Sequence, residues 1–134
     1  MVKKIKRRIK KNKKKNLPDG GNCYEANGRY FQQNGFNKPG LILCHGEVIG
    51  QGGLQGIAHG HCWLEEHDEE TGMVMVHDFS AVHMEGGLHV PAYQYYAVGQ
   101  IGGNVVRYDH KTFNERLLEH RTWGPWEFKS STGL

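Results

Sequence analysis

His61-Cys62-Trp63-Leu64-Glu65-Glu66 and Met73-Val74-Met75-Val76-His77-Asp78 decide the fold. Both runs alternate between two side-chain sets with the period of a half-buried strand. The polar stretch His67-Asp68-Glu69-Glu70-Thr71-Gly72 between them carries turn residues, so strands over about 58–66 and 73–79 form an antiparallel hairpin. Facing residues in such a pair have a constant sum of positions. With Glu66 opposite Met73, the same register sets Glu65 against Val74, Trp63 against Val76, and His61 against Asp78. Facing Cβ atoms lie about 5 Å apart, within reach of an imidazole–carboxylate contact. A slip of one residue would put the two on opposite faces.

Upstream, Leu17-Pro18-Asp19-Gly20-Gly21 reads as a hinge, and Asn22, or the residue one position away, as the N-cap of a helix running to about Gln33. Cys23, Ala26, Tyr30 and Phe31 are expected on its core face, and Asn34-Gly35 ends it. Gly28 inside the helix counts against it. A helix N-terminus suits a reactive thiol, because unpaired amides and the helix dipole stabilise a thiolate. The same amides can stabilise the oxyanion formed when that thiolate attacks an acyl carbon. Cys23, His61 and Asp78 thus occur in the order and settings of a thiol-amidase triad. Asp78 would orient His61, and His61 would deprotonate Cys23 and later protonate the leaving amine. No Gln precedes Cys23, so Asn22, Gln51 and Gln55 are the oxyanion candidates, with Trp63 as core residue and cleft wall.

Outward from the hairpin, Leu41–Ile49 reads as a strand entered through Asn37-Lys38-Pro39-Gly40. Gly50 to Gly60 is glycine-rich, but no Lys-Ser/Thr follows and no helix begins there, so a phosphate loop is excluded. A mobile loop bordering a cleft is expected instead. Residues 91–98 read as a short helix, 104–108 as a strand and 112–121 as a final helix, with Thr112 and Glu115 as a capping box. Gly124-Pro125 breaks that helix, leaving Trp123, Trp126 and Phe128 as a closing flap. One helix, a mostly antiparallel sheet and closing helices make an α+β domain over 17–134.

Residues 1–16 form a separate basic tail. Its first fifteen residues hold ten Lys or Arg and no acid, leaving seven basic against fourteen acidic residues in the body. Lys3, Lys4, Lys6, Arg7, Arg8, Lys10 and Lys11 are the candidate contacts to nucleic acid or another polyanion, although the body carries no nucleic-acid motif. No apolar h-region follows the basic residues, and no apolar run approaches the length of a spanning helix. Three cysteines without a signal peptide point to a reducing, cytoplasmic setting rather than a disulfide scaffold.

Nine histidines raise the question of a metal. His59 and His61 would share a face, but Cys62 points the other way and no ordered second pair accompanies them, so no metal site is assigned. His67, His77 and His83 lie downstream. His45, His89, His110 and His120 read as ordinary surface or core histidines, Cys44 and Cys62 as core, and Tyr93, Tyr95 and Tyr96 as packing residues.

Gly60-His61-Cys62-Trp63-Leu64-Glu65, followed by Val76-His77-Asp78-Phe79-Ser80, resembles the catalytic hairpin of the transglutaminase-like branch of papain-fold enzymes. The family pattern is a histidine, a small residue, Trp and an alternating strand, then a strand ending in Asp with Ser, Pro or Thr soon after. Its cysteine also begins an upstream helix, so the resemblance covers about residues 20–80. It implies a cysteine-bearing helix packed on an antiparallel sheet, no cofactor, and a thiol acyltransferase or amidase acting through a thioester. Peptides, proteins and peptidoglycan amides fit as substrates, in a bacterium or a phage-infected cell. The rival expectation is a non-catalytic module, of phage or mobile-element type, that binds nucleic acid or another polyanion through the tail.

Overall fold

The computed structural model describes residues 22–50, 55–81 and 85–134. The elements run α1 (Asn22–Asn34), a 3-10 turn (Gly35–Asn37), β1 (Leu41–Ile49), β2 (Ala58–His67), β3 (Val74–Asp78), β4 (Leu88–Pro91), α2 (Ala92–Gly99), β5 (Val105–Tyr108) and α3 (His110–His120). Among the described residues the fold is α+β, with three helices and one five-stranded antiparallel sheet in the order β4-β3-β2-β1-β5. The basic tail, with Lys3, Lys4, Lys6, Arg7, Arg8, Lys10 and Lys11, lies outside the described residues. Among the described residues no helix is long and apolar enough to cross a membrane.

Alternation along the strands divides the core in two. Leu41 and Leu43 of β1 join Cys62 and Leu64 of β2 in a cluster closed by Cys23 and Phe31 of α1 and Phe113 of α3. Cys44, Val48, Trp63 and Val76 form the opposite cluster, covered by Ala92, Tyr95 and Tyr96 of α2. Trp63 is accommodated because its cross-strand surroundings include Gly46, where a Cβ would stand 2.4 Å from Trp63 Cη2. Trp123 and Trp126 pack on the first cluster and Phe128 is buried, as the closing flap requires.

The hairpin register differs from the expected one by two residues. Leu64 faces His77, Glu65 faces Val76 and Glu66 faces Met75, so His61 and Asp78 are not direct partners. The cause is the turn. The Asp68 amide donates to the Met73 carbonyl (2.9 Å), while the Asp68 carboxylate accepts from the amides of Glu70 and Thr71, and Gly72 takes φ +72°. This Asx-type turn closes the loop more tightly than a Glu66–Met73 pairing would. An even shift keeps every side chain on its face, so His61 and Asp78 remain diagonal neighbours.

Other boundaries shift as well. Asn22 is the first helical residue rather than the cap. The buried stripe of α1 is centred on Cys23, Asn27 and Phe31, with Ala26 and Tyr30 at its margin. Gly28 lets the indole of Trp123 approach, since a Cβ there would lie 2.7 Å from Cε3. β4 was not expected: four residues ending in Pro91 make an edge strand too short to show a period. α3 begins two residues early because Asp109, not Thr112, is the cap, accepting from the Thr112 amide at 2.8 Å.

Candidate active site

β3 pairs with β2 only over residues 64–67, leaving residues 58–63 of β2 beyond the paired region. His61, the end of β3 and the start of α1 meet at this opening. His61 Nε2 lies 2.9 Å from Asp78 Oδ2. The other ring nitrogen, Nδ1, is buried and makes no hydrogen bond of ordinary geometry. With Nε2 committed to Asp78, Nδ1 is the nitrogen left to meet the Cys23 thiol, which interacts with this ring. Burial alone would lower the His61 pKa. The Asp78 hydrogen bond, and the Cys23 hydrogen bond and charge, outweigh it and raise the value to about 10. The imidazolium form is therefore favoured beside these two groups.

Asp78 is 5% exposed and is held from several elements. Tyr95 of α2 donates its hydroxyl to Oδ2 (2.9 Å). On Oδ1, Asn27 of α1 donates through Nδ2 (3.1 Å), and Ser80 through its amide (3.0 Å) and hydroxyl (2.5 Å). Burial would raise the carboxyl pKa, but His61, Ser80 and Asn27 hold it well below the usual carboxylate range. Asn27 ties the elements together. Its Nδ2 also donates to the Cys23 carbonyl (3.0 Å) and the Cys62 carbonyl (2.9 Å), and its Oδ1 accepts from the Phe79 amide (2.9 Å). Cys23, one turn before Asn27 on the same face, is 1% exposed.

Of the remaining sequence candidates, Trp63 is fully buried and its indole N–H donates to Glu65 Oε2 (3.2 Å). It is thus no oxyanion donor; its ring lies nearly parallel to that of His61, with centroids 6.3 Å apart. Gln55 is exposed, Gln51 is outside the described residues, and of Asn22 only the helical backbone is described. The amides of the first turn of α1 are the donors nearest the thiol in sequence. His59 and His61 share a face with ring centroids 6.2 Å apart. Among the described residues no three His, Cys, Asp or Glu side chains are grouped to hold a metal.

Two functional neighbours escaped the sequence reading, Asn27 and Tyr95. Asn27 had a signal: it lies four residues after Cys23 and four before Phe31, and a polar side chain on a buried stripe must find partners. Tyr95 had none, because its contact depends on how α2 docks over the sheet.

On the α2 face a cleft of about 480 Å³ opens beside the dyad, with His61 and Tyr95 in its lining. Neither protein-family models, nor curated proteins, nor solved structures show a match to this chain.

Proposed function

We propose that the protein is a cysteine-dependent amide hydrolase or acyltransferase with a papain- or transglutaminase-like core, in which Cys23, His61 and Asp78 serve as nucleophile, acid–base and orienting group. The observation that carries this reading is the His61 ring. One nitrogen is bonded to a buried carboxylate, and the same ring interacts with a thiol at the start of a helix.

In the proposed reaction the Cys23 thiolate attacks the carbonyl carbon of an amide. The C–N bond breaks from the tetrahedral intermediate, the leaving amine takes the proton held on His61, and an acyl thioester remains. Neutral His61 then removes a proton from water or an acceptor amine. That nucleophile displaces the Cys23 sulfur, giving a free acid or a new amide. Asp78 stays ionised throughout and stabilises the imidazolium. Asn27 and Tyr95 keep the carboxylate in line, so they are positioning residues.

The test is acylation by p-nitrophenyl acetate. The expected result is a stoichiometric burst of nitrophenolate with the acetyl group on the Cys23 peptide, abolished by Cys23→Ser. Acetylation spread over Cys23, Cys44 and Cys62, or no burst, contradicts the proposal.

A further inference from the structure

The cleft beside His61 has a chemistry of its own. Its apolar walls include Val48 of β1, Leu88 and Val90 of β4, and Val98 of α2. These four aliphatic residues come from three elements that the sequence separates by as much as fifty positions, so the apolar surface is assembled by the fold. Among the described residues its polar side chains are those of His59, His61, Gln94 and Tyr95, and no Asp, Glu, Lys or Arg lines the cleft. Two of those polar groups belong to the site already described: Tyr95 donates to Asp78, and His61 is the proposed base.

A volume of about 480 Å³ is within the range of small-molecule sites and holds a large side chain with adjoining backbone. A carboxylate or ammonium placed there would lose hydration, and the cation in the lining, the His61 imidazolium, is already paired with Asp78. An aliphatic or aromatic group would instead remove its own surface, and that of the four walls, from water.

We infer that this cleft seats an uncharged, apolar side chain flanking the scissile amide, so the substrate is a peptide bearing a Leu- or Phe-like residue there rather than an acidic or basic one. The inference rests on the hydrolase reading and narrows it. Amides flanked by charged groups on this side, as in acidic or diamino-acid-rich cell-wall peptides, are disfavoured.

The test uses the full chain carrying Cys23→Ser, so that binding is read without covalent chemistry. N-acetyl-phenylalaninamide, N-acetyl-aspartamide and N-acetyl-lysinamide are titrated while the methyl resonances of Leu88, Val90 and Val98 are followed by NMR. The phenylalanine amide should shift these methyls and bind about tenfold tighter than either charged amide. Val98 is well exposed, so Val98→Glu is compatible with folding. In that variant the order should invert, with the lysine amide now bound more tightly than the phenylalanine amide, a gain that unfolding cannot produce. Equal affinities, shifts elsewhere, or an unchanged order in Val98→Glu overturn the inference. The acylation test separates the two claims. A burst on Cys23 without side-chain preference overturns only the cleft assignment. Selective binding without acylation of Cys23 overturns the hydrolase reading and with it the substrate role of the cleft.

Discussion

Asp78 and Glu65 are both buried carboxylates, and each accepts a hydroxyl from one of two consecutive tyrosines of α2, Tyr95 for Asp78 and Tyr96 for Glu65. Their other partners divide them. Glu65 accepts from Trp63 and from Arg107 Nε (3.3 Å). Burial works to raise its pKa, but Tyr96, Trp63 and Arg107 keep it low. Arg107 cannot release its proton near neutral pH, so the Glu65–Arg107 pair holds charge in place. Asp78 instead holds a histidine at 2.9 Å, a group that can give and take a proton, whereas the histidine near Glu65, His67, is half-exposed and stands 3.7 Å away. The thiols differ in the same sense. Cys44 lies beside Glu65, and burial together with that carboxylate raises its pKa well above the ordinary thiol value. Cys23 lies beside the imidazole. Similar burial and similar tyrosine support thus give a carboxylate–guanidinium pair at one place and a carboxylate–imidazole pair at the other.

Exchanging each carboxylate for its amide should separate the two roles most strongly. Asp78→Asn should slow acylation of Cys23 by p-nitrophenyl acetate about a thousandfold, the scale of a lost acid–base partner. Glu65→Gln should lower the unfolding free energy by about 2 kcal/mol and leave the acylation rate near that of the parent. Equal loss of rate in both variants would erase the distinction.

A histidine on the neighbouring strand provides the next test. His45 is fully buried among Tyr24, Tyr108 and Trp126, and neither ring nitrogen has a hydrogen-bond partner. Burial lowers its pKa to about 4, with only partial opposition from Glu127. The unfolded chain therefore binds the His45 proton first. Its contribution to stability is complete above pH 6.5 and is lost as the pH falls from there to about 4, by about 3 kcal/mol. For His61, whose pKa is raised, the contribution is complete below pH 6.5 and is lost as the pH rises towards about 10. Urea unfolding from pH 7 to pH 4 should show a smaller acid-side loss in His45→Leu, by about that amount. An unchanged acid limb would mean that His45 is not the group protonated.

The smallest effect comes from the paired tyrosines. Tyr95→Phe and Tyr96→Phe should each cost about 1 kcal/mol in unfolding free energy. Only Tyr95→Phe should also slow Cys23 acylation, by about fivefold. A matching slowdown in Tyr96→Phe would indicate a general packing effect of α2.

Much of this arrangement was legible in the residues. The alternation in 61–66 and 73–78 located β2 and β3, and Cys23 fell at the start of a helix because the turn residues before it leave little else. The expected register was off by two, since Asp68 bonds the turn through its own carboxylate, yet strand periodicity preserved the face. What the sequence did not carry was long-range docking. Nothing in Ala92-Tyr93-Gln94-Tyr95-Tyr96 says which hydroxyl reaches which carboxylate, and Leu88–Pro91 is too short to announce a strand. Trp63, read from its position as both core residue and cleft wall, is a core residue tied to Glu65.

The most direct test of the central claim is the pH dependence of iodoacetamide alkylation at each cysteine, followed by peptide mass analysis. A Cys23 sulfur beside the His61 imidazolium predicts that Cys23 is alkylated ahead of Cys44 and Cys62 and that His61→Ala abolishes the selectivity. Cys44 and Cys62, both with raised pKa values, should react only at alkaline pH. Equal labelling of the three thiols, or no labelling of Cys23, would contradict it.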